Sequence, residues 1–180
     1  IAVDSGNTVA ADDTNSLRYG MRTDGKRGFV FVNHYQRLTE LADIENAVIS
    51  AENVEFPPID VKGEVSFFMP FNMKMGDSVL EYATAQPLCK CGETYFFAEI
   101  PNIKAEYKFS KGSANIVTVP FENAKYMRKL NGTVYIGGGC NLYEENGQIH
   151  SVEDGEYICQ KWNGSEFETV KIVQSAKQSN

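Results

Sequence analysis

The chain has 180 residues, of which 42% are hydrophobic and 23% charged, and its net charge is −7. That length suits one domain or two small ones and buries a core without staples. The negative balance argues against a nucleic-acid backbone or an anionic membrane surface as partner, since both are bound by clustered Lys and Arg. No apolar run approaches the roughly 20 residues that span a bilayer. No basic-then-apolar leader opens the chain, and a start at Ile1 suggests a processed product or an excised piece.

From the N-terminus, Leu17, Tyr19 and Met21 alternate with polar or small residues up to Asp24-Gly25, a hairpin dipeptide. The following Phe29–Val32 run is continuously apolar, as in a strand covered on both faces. Tyr35–Glu45 carries apolar residues at helical spacing (Tyr35, Leu38, Leu41, Ala42) but has no stop signal, so helix and long loop both stay open. Val65–Met69 reads as a strand ending at Pro70, and Tyr95–Ile100 as one ending at Pro101. Ile103, Ala105, Tyr107 and Phe109 alternate with Lys104, Glu106, Lys108 and Ser110, the pattern of a half-buried strand. Ile116–Phe121 follows as another.

The last third is a meander. Its runs are Ala124–Leu130, Thr133–Ile136, Gln148–Val152, Glu156–Trp162 and Glu166–Val173, punctuated by Asn131-Gly132, Asn146-Gly147 and Asn163-Gly164. Asn-Gly favours the positive φ angles of type I′ turns. Gly137-Gly138-Gly139 lacks the helix a phosphate loop needs and is read as a bulge or turn. The expected fold is therefore all-β, an antiparallel sandwich or barrel-like arrangement of many hairpins with little helix. One domain is expected over 1–173, with a candidate sub-domain break near 110–123 and a frayed polar tail at 174–180.

Chemistry is sparse. Cys89-Lys90-Cys91 is too tight for a C-x₂-C metal knuckle, and Cys89, Cys91, Cys140 and Cys159 are expected to be free, partly buried thiols in a reducing compartment. No metal or cofactor is expected. His34 lies in no Ser- or Cys-based catalytic signature and is read as a hydrogen-bonded structural residue. Glu144-Glu145 sits before a turn, and its two side chains point to opposite faces. Trp162, and after it Tyr35, are the rings best placed to stack on a sugar, against the commoner fate of core or interface burial. Asn33, His34, Tyr35 and Arg37 follow the apolar strand abruptly with amide, imidazole, phenol and guanidinium groups, where a tight return would use Gly. They are read as a contact surface, for a partner domain or a carbohydrate, with strand capping as the rival account.

Three stretches carry a resemblance: Leu17–Arg37 (LRYGMRTDGKRGFVFVNHYQR), Phe67–Met73 (FFMPFNM) and Leu80–Cys89 (LEYATAQPLC). In order and spacing they resemble the β-rich region that follows the catalytic barrel in bacterial glycoside hydrolase family 35, whose members are β-galactosidases. The resemblance covers Ser16–Phe109 well and the remainder weakly. It implies a non-catalytic accessory domain that packs on the barrel of a parent enzyme in the bacterial cytoplasm and shapes its active-site rim. The family's two barrel glutamates have no counterpart here, because a barrel needs about 200 residues or more of alternating βα units. Catalytic residues are thus expected to be absent. The alternative expectation is an independent carbohydrate-binding module that contacts a galactoside or oligosaccharide.

Overall fold

The computed structural model describes residues 2–4, 8–153 and 155–173, with backbone alone at 2–4 and 173; the expected tail at 174–180 lies outside the described residues. Strands take 58% of the structure and helix 2%. In chain order the strands are β1 (Ala2–Asp4), β2 (Tyr19–Thr23), β3 (Gly28–His34), β4 (Ile44–Ala47), β5 (Ser50–Ala51), β6 (Val54–Glu55), β7 (Ile59–Val61), β8 (Val65–Met75), β9 (Ser78–Ala83), β10 (Gln86–Cys91), β11 (Thr94–Ala98), β12 (Tyr107–Lys111) and β13 (Asn115–Val119). A single helical turn, α1 (Phe121–Ala124), precedes β14 (Met127–Leu130), β15 (Thr133–Gly137), β16 (Leu142–Glu145), β17 (Gln148–Ser151), β18 (Glu156–Trp162) and β19 (Phe167–Val173). The all-β expectation holds.

Three sheets carry the architecture. The largest runs β1-β2-β3-β8-β9-β12, all antiparallel. The alternation of β3 and β8 points Val30, Val32, Phe67, Met69 and Phe71 to one face, where they are buried. The small β4–β7 segment covers that face with Ile49, Val54, Phe56, Ile59 and Val61. The second sheet, β10-β11-β13, includes a parallel pair, β11 with β13. The third, β14-β15-β18-β19, holds four of the five runs expected as a meander; the fifth, Gln148–Val152, pairs instead with β16 in a separate hairpin, and β15 pairs directly with β18.

β11 (TYFFA) is buried on both faces and joins two cores. Phe97 packs with Met75, Leu80, Ala83 and Ala85 and meets the ring of Tyr107 edge-on at 5.3 Å. Its neighbour Phe96 enters the other side, with Met127, Val134 and Ile136, and meets Trp162 edge-on at 5.1 Å.

Several local expectations change. Asn131-Gly132 and Asn146-Gly147 are two-residue turns with φ positive at both positions, as type I′ requires. Asp24-Gly25 and Asn163-Gly164 instead open four-residue loops. There Asp24 Oδ1 accepts from the amides of Lys26 and Arg27, and Asn163 Oδ1 from those of Ser165 and Glu166, so the side chain replaces the tight turn. Pro70 does not end its strand: β8 runs on to Met75. Pairing with β9 starts one residue later, at Phe71, so Pro70 is laddered to β3 alone. Tyr35–Glu45 is loop, then strand from Ile44, with no helix. The half-buried strand begins only at Tyr107, because Thr84 Oγ1 takes the amide of Glu106 and donates to the carbonyl of Lys104. Of the triple glycine, Gly137 ends β15 and Gly138-Gly139 make a bend, with Gly139 at φ +103° and the carbonyl oxygen of Cys140 2.0 Å from where a Cβ on Gly137 would sit. At the sheet edge, β12 shifts register against β9 on both sides of Phe109.

Truncating Phe96 removes one ring from a fully buried site shared with Trp162. Phe96→Ala is expected to lower the unfolding free energy in urea by about 3–5 kcal/mol, whereas Phe31→Ala on the open face should cost well under half of that.

Candidate contact surface at the end of β3

The alternation of β3 decides what its end presents. Val30, Val32 and His34 point inward, and Phe29, Phe31 and Asn33 point outward. The outer face is open rather than covered. Phe31 is part-exposed there, packed against Phe29 and Phe68, with the Arg22 guanidinium 6.0 Å from its ring centroid. Gly20 lies opposite Phe31, and Arg22 opposite Phe29.

The four predicted contact residues divide. Asn33 is exposed and tied down, accepting at Oδ1 from Ser66 Oγ at 2.7 Å and donating its amide to the carbonyl of Arg18. His34 is buried, 1% exposed, yet neither imidazole nitrogen has a hydrogen-bond partner, contrary to the expectation of a bonded structural histidine. Burial follows from its inward position, opposite Val65 on β8. Tyr35 is 48% exposed, and Arg37 is exposed without an ion pair among the described residues.

Beyond Tyr35 the chain makes a tight turn. The amide of Thr39 donates to the carbonyl of Gln36, and Gln36 Nε2 donates to Thr39 Oγ1 and to the carbonyl of Ala11. Leu38 stands at its tip with φ +62° and 96% exposure. A bulky residue in the left-handed region is strained, and a fully solvated leucine gains nothing from folding. His34, Tyr35, Thr39, Glu40, Asp43 and Glu64 wall a cavity of about 550 Å³ beside this turn.

Trp162 is not part of any surface. It is 6% exposed, clasped by Phe96 and Phe167, so stacking on a sugar is ruled out for it. The reason is register: Trp162 pairs with Phe167 across the β18–β19 hairpin and shares its inward face.

Among the described residues, hydrogen bonds hold the carboxyls of Asp13 and Asp24 below their ordinary range. Asp13 is held low first by the Ser16 side chain, and Asp24 first by the amide of Arg27. Glu144 spends one oxygen on the amide of Gly147 in its turn. Among the described residues no group of three or more His, Cys, Asp or Glu could hold a metal ion, and no helix is long and apolar enough to cross a membrane. All four cysteines are free: Cys89 and Cys91 are half-buried, Cys140 and Cys159 buried. Burial pushes the thiols of Cys89 and Cys159 up.

Comparison with known proteins returns no match to a family model, a curated protein or a solved structure.

The four thiols define a measurement. Ellman's reagent at pH 8 is expected to find all four in denaturant without reductant. In the native state Cys140 and Cys159 should stay silent and Cys89 should react slowly, because burial lowers its thiolate fraction.

Proposed function

We propose that this chain is a non-catalytic accessory β-domain of a β-galactosidase-like glycoside hydrolase, which packs against the catalytic barrel and helps shape its active-site rim. The resemblance over Ser16–Phe109 supports the parentage. The observation that carries the docking role is the Gln36–Thr39 turn, which holds Leu38 out in solvent in a strained conformation. Strain at an exposed apolar tip is understandable when the tip is buried by something else.

Tyr35 and Arg37 complete the anchor, a ring with a polar tip and an unpaired guanidinium of the kind enriched in interface cores. The part-exposed phenylalanines beyond Asn33, flanked by Arg22, extend an apolar face towards the same partner. On this reading the segment has no hydrolytic activity of its own, binds neither nucleic acid nor a membrane surface, and its free thiols suit the bacterial cytoplasm.

The rival reading, a free-standing carbohydrate-binding module, loses its best ring with the burial of Trp162. Phe31 and Phe68 stack on one another at 5.8 Å and 29°, which takes up one face of each ring.

Leu38→Ala, Tyr35→Ala and Arg37→Ala separate docking from local capping. In the isolated chain each should change stability by no more than about 0.5 kcal/mol. In the parent enzyme Leu38→Ala and Tyr35→Ala should each destabilise by about 1–2 kcal/mol and reduce galactosidase activity. Unchanged parent stability in all three variants defeats the docking role, and equal losses in the isolated chain favour capping. The isolated chain should not turn over a nitrophenyl galactoside; turnover abolished by one carboxylate substitution would refute the accessory reading.

A further inference from the structure

At the opposite end of β3, about 20 Å from His34 at 3.3–3.4 Å per residue, the outer face closes into a cavity of about 580 Å³. Its origin is a mismatch of strand lengths. Pairing of β3 with β8 begins at Gly28 and Phe71, so β8 continues through Met73 and Lys74 with no β3 residue beside it. The β2–β3 loop bends over the vacant corner. Gly28 is required there, since a Cβ would lie 2.0 Å from the carbonyl oxygen of Arg22.

The overhanging loop is firmly held. Thr23 Oγ1 accepts the amide of Gly25 and donates to Glu52 Oε1. Asn72 Nδ2 donates to the carbonyl of Lys26 at 2.7 Å and to Asn53 Oδ1. The cavity is thus walled by built structure, and its size falls within the roughly 300–1,000 Å³ of small-molecule sites.

Its lining divides by chemistry. Phe29 and Met73 supply the apolar side chains, and Arg22, Arg27 and Lys74 stand around them. The single carboxylate, Asp24, is already engaged: one oxygen takes two loop amides and the other takes Arg27 Nε at 3.0 Å. Arg22 and Lys74 make no ion pair among the described residues. On a chain of net charge −7, a concentration of cations around an apolar hole is local complementarity for an anion.

We propose that this cavity binds an organic carboxylate with a flat, apolar body. The ring lies against Phe29 and Met73, and the carboxylate reaches Arg22 and Lys74. A sugar hydroxyl pattern does not match, because the polar side chains around the wall are mainly cations and the carboxylate that could accept from hydroxyls, Asp24, is already engaged. A bare inorganic anion would leave the apolar wall unused. The site shares Phe29 and Arg22 with the apolar outer face but does not rest on the docking role, whose carrying feature, the Gln36–Thr39 turn, lies at the other end of the strand.

Phenylacetate is the probe, with phenethyl alcohol as its uncharged counterpart and galacturonate as a polar acid, followed by amide chemical-shift titration of the full chain. Saturable shifts centred on Gly28, Phe29, Met73 and Lys74 are expected, weakening as salt is raised. Phenethyl alcohol and galacturonate should each bind about tenfold more weakly or worse, and Arg22→Gln combined with Lys74→Gln should cost phenylacetate about tenfold, the scale of one charge-assisted hydrogen bond. Both substitutions are on exposed side chains, and an unchanged thermal midpoint confirms that the fold is kept. No saturable shift at millimolar phenylacetate, equal binding of the alcohol, or an unaffected double variant would each overturn the assignment.

Discussion

Neighbouring residues on a strand point to opposite faces, so two consecutive phenylalanines cannot share one core. Phe96 and Phe97 therefore oblige β11 to be covered on both sides, and the architecture follows from that. Phe97 recruits the turn-rich end of the large sheet through Leu80 and Tyr107. Phe96 recruits the C-terminal meander through Trp162. The rest of the second sheet follows β11 into the second core, with Cys89 and Cys91 of β10 and Val117 and Val119 of β13 packed beside Phe96.

Much of this was legible in the residues, and where it was not the cause is specific. Period-two runs and Asn-Gly pairs identified the strands and turns of the meander, because both signals are local. They could not separate a two-residue turn from a four-residue loop. That choice depends on whether the Asp or Asn side chain folds back on its own amides, as Asp24 and Asn163 do. Pro70 looked terminal because its missing amide is costly only on an edge that is laddered, and edges are a tertiary property.

The candidate site shows the same boundary. The abrupt change after Val32 marked Asn33–Arg37, and the structure brings Tyr35 and Arg37 to the surface. It does not do so for His34, whose inward direction follows from parity along β3. Leu38 gave no sign, because nothing in its identity announces a left-handed φ. Trp162 takes the commoner of its two expected fates, core burial, and the choice was illegible for a related reason: adjacency to a turn in sequence says nothing of which face of the hairpin a ring occupies. The cavity beside Gly28 was invisible, since it arises from unequal lengths of paired strands.

The outermost strand of the large sheet has a consequence for how the molecule behaves in company. β12 offers backbone groups that another chain could pair with, the usual route to sheet-to-sheet polymerisation. Its ladder is interrupted on both sides of Phe109, and it carries Lys108, engaged with Glu81, and the exposed Lys111. A kinked, cationic border is a poor template for a straight incoming strand. The β12 edge is guarded by its own irregularity, and a segment rich in aromatic strands can be made in quantity with that route to fibrils obstructed.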